Sequence, residues 1–338
     1  MSDPSPVHAE LQQQHQRDIN CLADDNRQTR RRALEKLVKL AGGGQPAETM
    51  LSFWEHALRT PVLKLFADPV EKCRELAITL TTDVLSAVAA SGAQGTLAPL
   101  MTQAVSRLVA TTADVPESSE ELRLLLLQLV DLVLDKCGEG AAGSLHELVQ
   151  VLTASLADAF PDAKKLSCAM VIKLANALPE AIVPHCAPLA AALQPTLTHQ
   201  HSRVRAIATE ALVAVLVREP SPLVELAPQL ALITTDRAAS VREQAVHSTA
   251  ELLARIPQRR VHAARLLPLL LCALSDEVES IQAHAQAALR KLGDLLAAEQ
   301  ATDVEMANPT QPSADLQAAA AAAADDDASA ADAAAASA

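Results

Sequence analysis

An acidic residue followed six positions later by a basic one recurs along this 338-residue chain at nearly even intervals. The complete pairs are Asp24 with Arg30, Asp68 with Arg74, Glu117 with Arg123, Asp158 with Lys164, and Asp236 with Arg242. In two further copies one partner is replaced, since His199 precedes Arg205 and Asp276 precedes Gln282. Carboxylates and guanidinium groups in such numbers form strong charge-assisted hydrogen bonds. We therefore expect these residues to build a repeated structural contact.

The spacing also predicts where each pair lies in a helical hairpin. The acid falls in the turn between two helices, where it accepts hydrogen bonds from the amides that open the second helix. The base falls in the first turn of that helix, and its guanidinium bridges the acid of its own repeat and that of the next. We expect a ladder of exposed pairs, each worth ~0.2–1 kcal/mol. Such a ladder fixes register more than it stabilises the fold.

The distance between successive basic positions defines the repeat. The steps are 44, 49, 41, 41, 37 and 40 residues. In six of the seven copies the residue three positions after the basic one is small, namely Ala33, Ala77, Ser167, Ala208, Ala245 and Ala285. A period near 40 is typical of HEAT and armadillo repeats, whose helical hairpins bury their apolar faces by stacking. We predict an all-α fold, a HEAT/armadillo-type α-solenoid of about seven helical hairpins.

Two apolar patterns share this period. Second helices carry apolar residues at i, i+4, i+7, i+8 and i+11, as in Val204, Ala208, Ala211, Leu212 and Val215. This spacing predicts one buried stripe along each helix. Prolines recur every 40 residues inside first helices, at Pro188, Pro228 and Pro268. Because proline removes an amide donor, we expect these helices to bend or open there.

Composition limits the classes of protein that need be considered. Aromatic residues make up 1% of the chain, so the core must be aliphatic and rich in alanine. The six cysteines show no CxxC spacing and are interpreted as small buried hydrophobes in a reducing compartment. The polar amino terminus lacks a secretory signal, and no apolar window is long enough to span a bilayer. These features predict a cytosolic or nuclear protein with no membrane contact.

Charge is distributed unevenly along the chain. The net charge is −13, but residues 301–338 contain seven acids and no Lys or Arg, so the remainder carries about −6. This balance argues against general binding to a nucleic-acid backbone. The one dense basic cluster, Arg27 with Arg30 to Arg32, is interpreted as a solvated helix turn containing one ladder arginine, and nucleic-acid contact is the alternative.

Composition changes also suggest the domain boundaries. We predict a flexible amino terminus at residues 1–10, the solenoid at 11–299, and a disordered Ala/Asp-rich tail at 300–338. The first helix is expected from Leu11 to Leu22. Gly92, Gly95 and Pro99 are read as a break before the third hairpin.

No sequence motif for catalysis is present. The chain lacks GxxxxGK[ST], GxGxxG and GxSxG patterns. The nearest approach to a metal-ligand group is His185, Cys186, His199 and His201, whose spacing fits no standard zinc pattern. We predict no catalytic residue, no cofactor, no metal site and no enzymatic activity.

Polar residues on the second helices are the candidates for partner contact. HEAT solenoids usually present these helices along their concave side. The candidates are Glu210, Glu243, His247, Glu251 and His284. They form either an ordinary exposed polar face or a binding surface for another protein.

Three segments carry a resemblance to a known family. They are INCLADDNRQTRRRAL at residues 19–34, FADPVEKCR at 66–74, and FPDAKK at 160–165 followed by Cys168. In order and over about residues 15–300, the chain resembles the amino-terminal repeats of the HEAT-repeat axonemal dynein assembly factor family. The resemblance implies a cytoplasmic, non-enzymatic factor that helps to pre-assemble outer and inner dynein arms. It also implies binding to dynein intermediate or heavy chains and to chaperones or other assembly factors.

The chain departs from that family in length. Members are longer solenoids, whereas this chain passes into an Ala/Asp tail after about seven hairpins, as expected of a truncated gene model, a fragment or a short variant. Two other functions share the predicted fold. One is a general HEAT adaptor of the phosphatase-scaffold or nuclear-transport type, and the other is a chromatin- or RNA-binding module that would use the Arg27 to Arg32 cluster.

Overall fold

The computed structural model describes residues 6–109 and 116–307, with side chains for 9–109 and 116–303. Its α-helices are α1 (Pro6–Cys21), α2 (Arg27–Ala41), α3 (Ala47–Phe53), α4 (Arg59–Lys64), α5 (Glu71–Ala87), α6 (Ala90–Leu108), α7 (Glu120–Cys137), α8 (Leu145–Leu156), α9 (Pro161–Ala177), α10 (Cys186–Leu193), α11 (Ser202–Arg218), α12 (Leu223–Thr234), α13 (Ala239–Arg255), α14 (Arg259–Ala273) and α15 (Glu279–Ala307). A π-helical segment spans Trp54–Leu58, and short 3₁₀ segments span Leu65–Ala67, Gly138–Ser144, Val183–His185 and Gln194–Thr198. The residues described contain no β-strand, and the predicted all-α class is confirmed.

The chain divides into two units, Met1–Gln286 and Ala287–Ala338. In the first unit the helices alternate between two layers. One layer consists of first helices, in which α4 packs against α6, α6 against α8, α8 against α10, and α12 against α14. The other consists of second helices, in which α2, α5, α7, α9, α11 and α13 pack each against the next. This arrangement is the predicted solenoid of helical hairpins. In the second unit the described part is the remainder of α15, up to Ala307.

The core lies between the two layers and is aliphatic. The predicted stripe of α11, from Val204 to Val215, is fully buried. The position three residues after the ladder residue is also buried in every copy, and it holds Leu126 in the third hairpin where the others hold Ala or Ser. Small side chains there allow adjacent second helices to approach closely, because the distance between helix axes depends on the side chains at the contact.

The first and last helices extend beyond the predicted bounds of the solenoid, residues 11–299. Helix α1 begins at Pro6 and not at Leu11, and proline is favoured at a first helical position because its missing amide is not needed there. Helix α15 continues to Ala307, past the expected end of the solenoid at residue 299. Residues 308–338, which hold most of the predicted tail, and residues 110–115 of the third hairpin's turn lie outside the described part of the chain.

The three periodic prolines lie in first helices. Pro228 and Pro268 are inside α12 and α14. Pro188 is the third residue of the short helix α10, which has a 3₁₀ segment on either side. The 3₁₀ segments contain prolines of their own, Pro184 and Pro195, whereas α12 and α14 continue through Pro228 and Pro268 without a break.

The predicted break at Gly92 and Gly95 is wrong, because both residues lie inside the continuous helix α6. A Cβ atom built on Gly92 would lie 2.6 Å from Cδ2 of Leu51, in the second hairpin. Gly92 is thus explained by the close packing of two helices. A glycine in a contact of this kind cannot be distinguished from a loop glycine by composition.

The only tryptophan links the second and third hairpins. Trp54 is completely buried at the start of the π-helical segment, and its Nε1 donates a hydrogen bond to Oγ1 of Thr96 at 2.9 Å. Thr96 is itself buried on α6. The contact satisfies an indole donor that no solvent can reach.

Replacing Thr96 with valine should therefore destabilise the protein by about 1–3 kcal/mol, the usual cost of a buried donor left without its acceptor. The measurement is urea denaturation followed by the fluorescence of Trp54. The control is Thr102→Val on the same helix, where the exposed hydroxyl bonds only its own helix. Equal urea midpoints for the two variants would contradict the role given to Thr96.

Candidate functional site: the arginine ladder and the second-helix surface

The acid of each pair lies in the turn before the second helix, three residues ahead of the first helical residue. Oδ1 of Asp68 accepts a hydrogen bond from the amide of Val70 at 2.8 Å, and Val70 directly precedes α5. The same contact recurs at Asp24, Glu117, Asp158, Asp236 and Asp276. The acid thus closes the turn by accepting from the amide of the residue directly before the second helix, at the opening of that helix. A short polar side chain that bonds an amide two residues ahead is a common way to fix a turn.

Arg74 shows the geometry of the base. Its Nη1 donates to the backbone carbonyl of Asp68 at 2.9 Å, within its own repeat. Its Nε and Nη2 donate to the two carboxylate oxygens of Glu117, in the next repeat, at 2.6 and 2.8 Å. The guanidinium therefore joins the acidic residue of its own repeat to that of the next, as predicted, but it reaches its own acidic residue through the backbone carbonyl. Each arginine bonds the carbonyl of its own acid and the carboxylate of the neighbour's.

Five such two-point contacts occur among the described residues: Arg30 with Asp68, Arg74 with Glu117, Arg123 with Asp158, Arg205 with Asp236, and Arg242 with Asp276. Their shortest nitrogen–oxygen distances are 2.6–2.7 Å, and no side chain among them is more than 19% exposed. The expectation of exposed pairs is thus also wrong. A buried pair costs ~3–5 kcal/mol when one partner is removed, because the other charge is left without a counterion.

The ladder is interrupted between the fourth and fifth hairpins. Nζ of Lys164 donates to the carbonyl of Leu156 at 2.6 Å, within its own repeat. The next turn presents His199, whose Nδ1 accepts from the amide of His201 at 3.2 Å and so replaces the usual carboxylate. Burial, together with the positive charge of Lys164, lowers the pKa of His199. The ladder therefore has two blocks, one from Arg30 to Asp158 and one from Arg205 to Asp276.

Glu117 has an additional partner that the spacing does not reveal. Nη2 of Arg107, on α6, donates to its Oε2 at 2.9 Å. Burial alone would raise the pKa of Glu117. Hydrogen bonds from Arg74, Arg107 and the amide of Ser119 outweigh it and lower the pKa to about 2. Burial would also raise the pKa of Asp158 and that of Asp236, but hydrogen bonds from an arginine and a backbone amide, together with nearby positive charge, lower both.

The predicted partner-facing residues lie on three neighbouring second helices. Glu210 on α11 and His247 on α13 are exposed and occupy equivalent places, five residues after their ladder arginines. Glu251 lies one turn beyond His247 and pairs with Arg255. Which proteins these residues contact stays a prediction.

Three of the candidates come together. Glu243 and His247 are four residues apart on α13, and His284 lies opposite them on α15. Nδ1 of His284 is 3.5 Å from Oε1 of Glu243, and the rings of His247 and His284 have centroids 4.6 Å apart.

The histidines and cysteine considered from sequence are arranged differently. Cys186 is buried, and its Sγ donates to the carbonyl of Ile182. The rings of His199 and His201 lie 5.3 Å apart within one turn, while that of His185 lies 6.3 Å from His146. In the part of the chain that the structure describes, the residues with converging ligand atoms are instead Glu243, His247 and His284. Sequence reasoning missed this convergence because His284 is far from Glu243 and His247 in the sequence, although each residue has a fixed position within its repeat.

Comparison with known proteins identifies the family. A family model described as "Dynein axonemal assembly factor 5-like, TPR repeats" matches residues 21–305. The chain belongs to this family. The resemblance predicted from the sequence is thereby confirmed. The family's description names TPR repeats, whose period is 34 residues, whereas the steps in this chain are 37 to 49 residues and fit HEAT or armadillo hairpins.

Named relatives in the family come from vertebrates. Dynein axonemal assembly factor 5 of Xenopus laevis is 32% identical over 279 residues, which cover 82% of this chain and 33% of the relative. The protein of the same name from Homo sapiens is 32% identical over 267 residues, covering 77% of this chain and 31% of the relative. The chain thus spans about a third of the length of the curated relatives it matches.

Solved structures share the fold at low sequence identity. An engineered protein, target OR497, aligns with a TM-score of 0.57 at 15% identity and covers 94% of this chain and 79% of its own. Kap95p, from a structure with RanGDP, aligns with a TM-score of 0.57 at 12% identity, covering 90% of this chain and 39% of its own. These similarities concern the fold alone. Within the described residues, no helix has the length and apolar character needed to cross a membrane.

The interrupted ladder allows a matched test of the buried pairs. Arg205→Ala leaves the carboxylate of Asp236 buried without its counterion and should cost about 3–5 kcal/mol. Lys164→Ala removes a cation at the equivalent place that bonds only a carbonyl in the structure, and should cost about 1 kcal/mol. Urea denaturation measures both. A larger loss for Lys164→Ala than for Arg205→Ala would contradict the account of the ladder.

The lowered carboxylate pKa values predict sensitivity to acid. A group with a depressed pKa in the folded state contributes stability above its unfolded pKa and loses it as pH falls through its folded pKa. For Glu117 this window runs from about pH 4.5 down to about pH 2. Glu117→Gln should therefore lower stability at pH 7 and flatten its decline from pH 5 to pH 2, as measured by urea denaturation at each pH.

The control for this experiment is Asp162→Asn, whose carboxylate is 52% exposed beside Lys165. It should leave the pH profile unchanged. If Glu117→Gln declines with pH as steeply as the parent protein, the acid sensitivity does not arise from this carboxylate.

Proposed function

We propose that this chain is a non-enzymatic scaffold that takes part in the cytoplasmic pre-assembly of axonemal dynein arms. In this role it binds dynein intermediate or heavy chains together with chaperones or other assembly factors. The observation that best supports the proposal is the family match over residues 21–305, with relatives named as dynein axonemal assembly factors. Because the chain spans about a third of the length of those relatives, the proposal concerns only the share of the assembly function that these repeats perform.

A scaffold role agrees with how the charged groups are used. Five of the six recurring carboxylates are held by arginines in buried pairs, so these five are occupied in joining repeats. General acid–base catalysis needs convergent groups with pKa values near the working pH. The pKa values of four ladder carboxylates, Glu117, Asp158, Asp236 and Asp276, are moved in the opposite direction, further below neutrality.

The second-helix surface is the proposed binding face. Helices α9, α11 and α13 pack in sequence, and Glu210 on α11 is exposed, as are His247 and Glu251 on α13. Stacked repeats provide extended surfaces of this kind for other polypeptides. Exposed charges at such a surface govern partner choice and the rate of encounter.

The fold similarity to Kap95p adds no support for a transport adaptor, because it concerns architecture alone. In the arginine cluster considered for nucleic-acid contact, Arg30 bonds Asp68 in the ladder and Arg31 pairs with Glu35 at 2.8 Å. Two of its four arginines are therefore already bound to carboxylates, which does not favour the nucleic-acid alternative.

The test is co-precipitation from the cytoplasm of ciliated cells that express the tagged chain. Dynein intermediate or heavy chains should be recovered with it. The double variant Glu210→Lys/Glu251→Lys should reduce this recovery by about tenfold or more, since reversing exposed charges at an interface costs of the order of 1.4 kcal/mol. Both positions are exposed, so the fold should be retained.

The matched control is Glu225→Lys, an acid that is also exposed but lies on the first helix α12. This variant should bind dynein chains as the parent does. Loss of binding in both variants would mean that overall charge, and not the second-helix surface, determines the interaction. Absence of dynein chains from the parent precipitate would contradict the proposed function itself.

A further inference from the structure

We propose that Glu243, His247 and His284 form a binding site for a divalent transition-metal ion of the zinc class, located on the second helices of the sixth and seventh hairpins. The three residues offer one ligand atom each, and these atoms all lie within 4.8 Å of one another. The site is independent of the proposed dynein function, although it lies on the same surface.

The distances suit tetrahedral coordination. Ligand atoms that are each ~2.1 Å from a tetrahedral ion lie about 3.4 Å apart. Nδ1 of His284 and Oε1 of Glu243 are already 3.5 Å apart. The ring of His247 lies beside that of His284, with centroids 4.6 Å apart and planes inclined at 51°. The ligand atom of His247 lies within 4.8 Å of the other two, and His247 reaches solvent, so a rotation of its side chain would bring that atom to the ion.

The state of His284 is a separate observation that favours a ligand. Its side chain is 42% exposed, yet its Nδ1 is shielded from solvent and makes no hydrogen bond with the described residues, its one polar contact being the 3.5 Å approach to Oε1 of Glu243. A polar atom shielded from solvent without a hydrogen-bond partner costs free energy, so in folded proteins such an atom usually has a partner, such as a water molecule or an ion. A metal ion between His284 and Glu243 would satisfy it.

The placement of the ligands follows from the repeat. Residues four apart on a helix lie on the same face, so Glu243 and His247 project together from α13. His284 comes from α15, two residues after the degenerate ladder position Gln282. At Gln282 the arginine of earlier repeats is absent, and its Nε2 bonds the carbonyl of Asp276 within the same repeat. A metal ion here would join the sixth and seventh hairpins beside the point where the ladder ends.

The donor set selects the class of ion. Two imidazoles and one carboxylate are typical ligands of zinc and of neighbouring transition metals, whereas calcium and magnesium prefer oxygen ligands alone. With three protein ligands, the fourth position is open to water. The surrounding surface leaves room for it, because His247 is exposed.

The experiment uses the full chain without an affinity tag, kept reduced and dialysed against micromolar zinc chloride, with bound metal measured by mass spectrometry. The parent should bind one zinc ion at this site. His284→Asn and Glu243→Gln should each weaken binding at least tenfold. The control is His201→Asn, which removes one ring from the His199–His201 pair and should not change zinc affinity.

Two further measurements separate this site from other binding. Cobalt(II) should give a visible spectrum typical of nitrogen and oxygen ligands, and an intense near-ultraviolet band from thiolate would instead assign the ion to a cysteine such as the exposed Cys272. Zinc should raise the thermal midpoint of the parent and leave that of His284→Asn unchanged. Equal zinc affinity, or an equal rise in midpoint, for parent and His284→Asn would overturn the proposal.

Discussion

The contact on which this architecture depends is the buried pair between an arginine of one hairpin and a carboxylate of the next. Nη1 of each ladder arginine donates to a backbone carbonyl of its own turn at 2.8–3.1 Å. Its Nε and Nη2 donate to the carboxylate of the next repeat. Because the guanidinium is planar and rigid, these bonds specify the orientation of two successive turns as well as their distance. Aliphatic packing supplies most of the stability, since it is extensive and non-directional. The pairs determine which of the many ways of stacking apolar helices is adopted.

The interruption at Lys164 and His199 shows what the ladder does not do. Helices α9 and α11 pack against each other there as closely as α11 and α13, although no carboxylate meets the cation between them. Register at this junction is therefore maintained by apolar residues such as Val204 and Ala208. A lysine ammonium has no fixed fork, and an imidazole cannot accept two parallel bonds, so the junction lacks the orienting contact found elsewhere. At this turn the two ladder blocks are joined by apolar packing, and further along α9 and α11 Nη2 of Arg218 donates to Oδ1 of Asn176 at 3.5 Å.

Much of the fold could be predicted because its determinants recur. The period of the charged pairs, the small residue three positions later and the apolar stripe of α11 all follow from helical geometry within one hairpin. What could not be predicted depends on contacts between hairpins. The burial of the pairs and the packing of Gly92 against Leu51 each arise where separate repeats meet. The convergence of Glu243, His247 and His284 is of the same kind, since a single hairpin contains only two of the three.

In each second helix, the position that packs against the neighbouring helix and the position whose residue type varies lie on different faces. The residue three places after the ladder position is buried in every copy, and it is Ala or Ser in six of the seven. Two residues later the side chain reaches solvent in each of the first six copies and differs along the chain, being Glu35, Thr79, Gln128, Ala169, Glu210 and His247. A helix turns by about 100° per residue, so these two positions face about 200° apart. Changes at the exposed position therefore leave the spacing of the helices untouched, and one stacking geometry can present a different surface at each repeat.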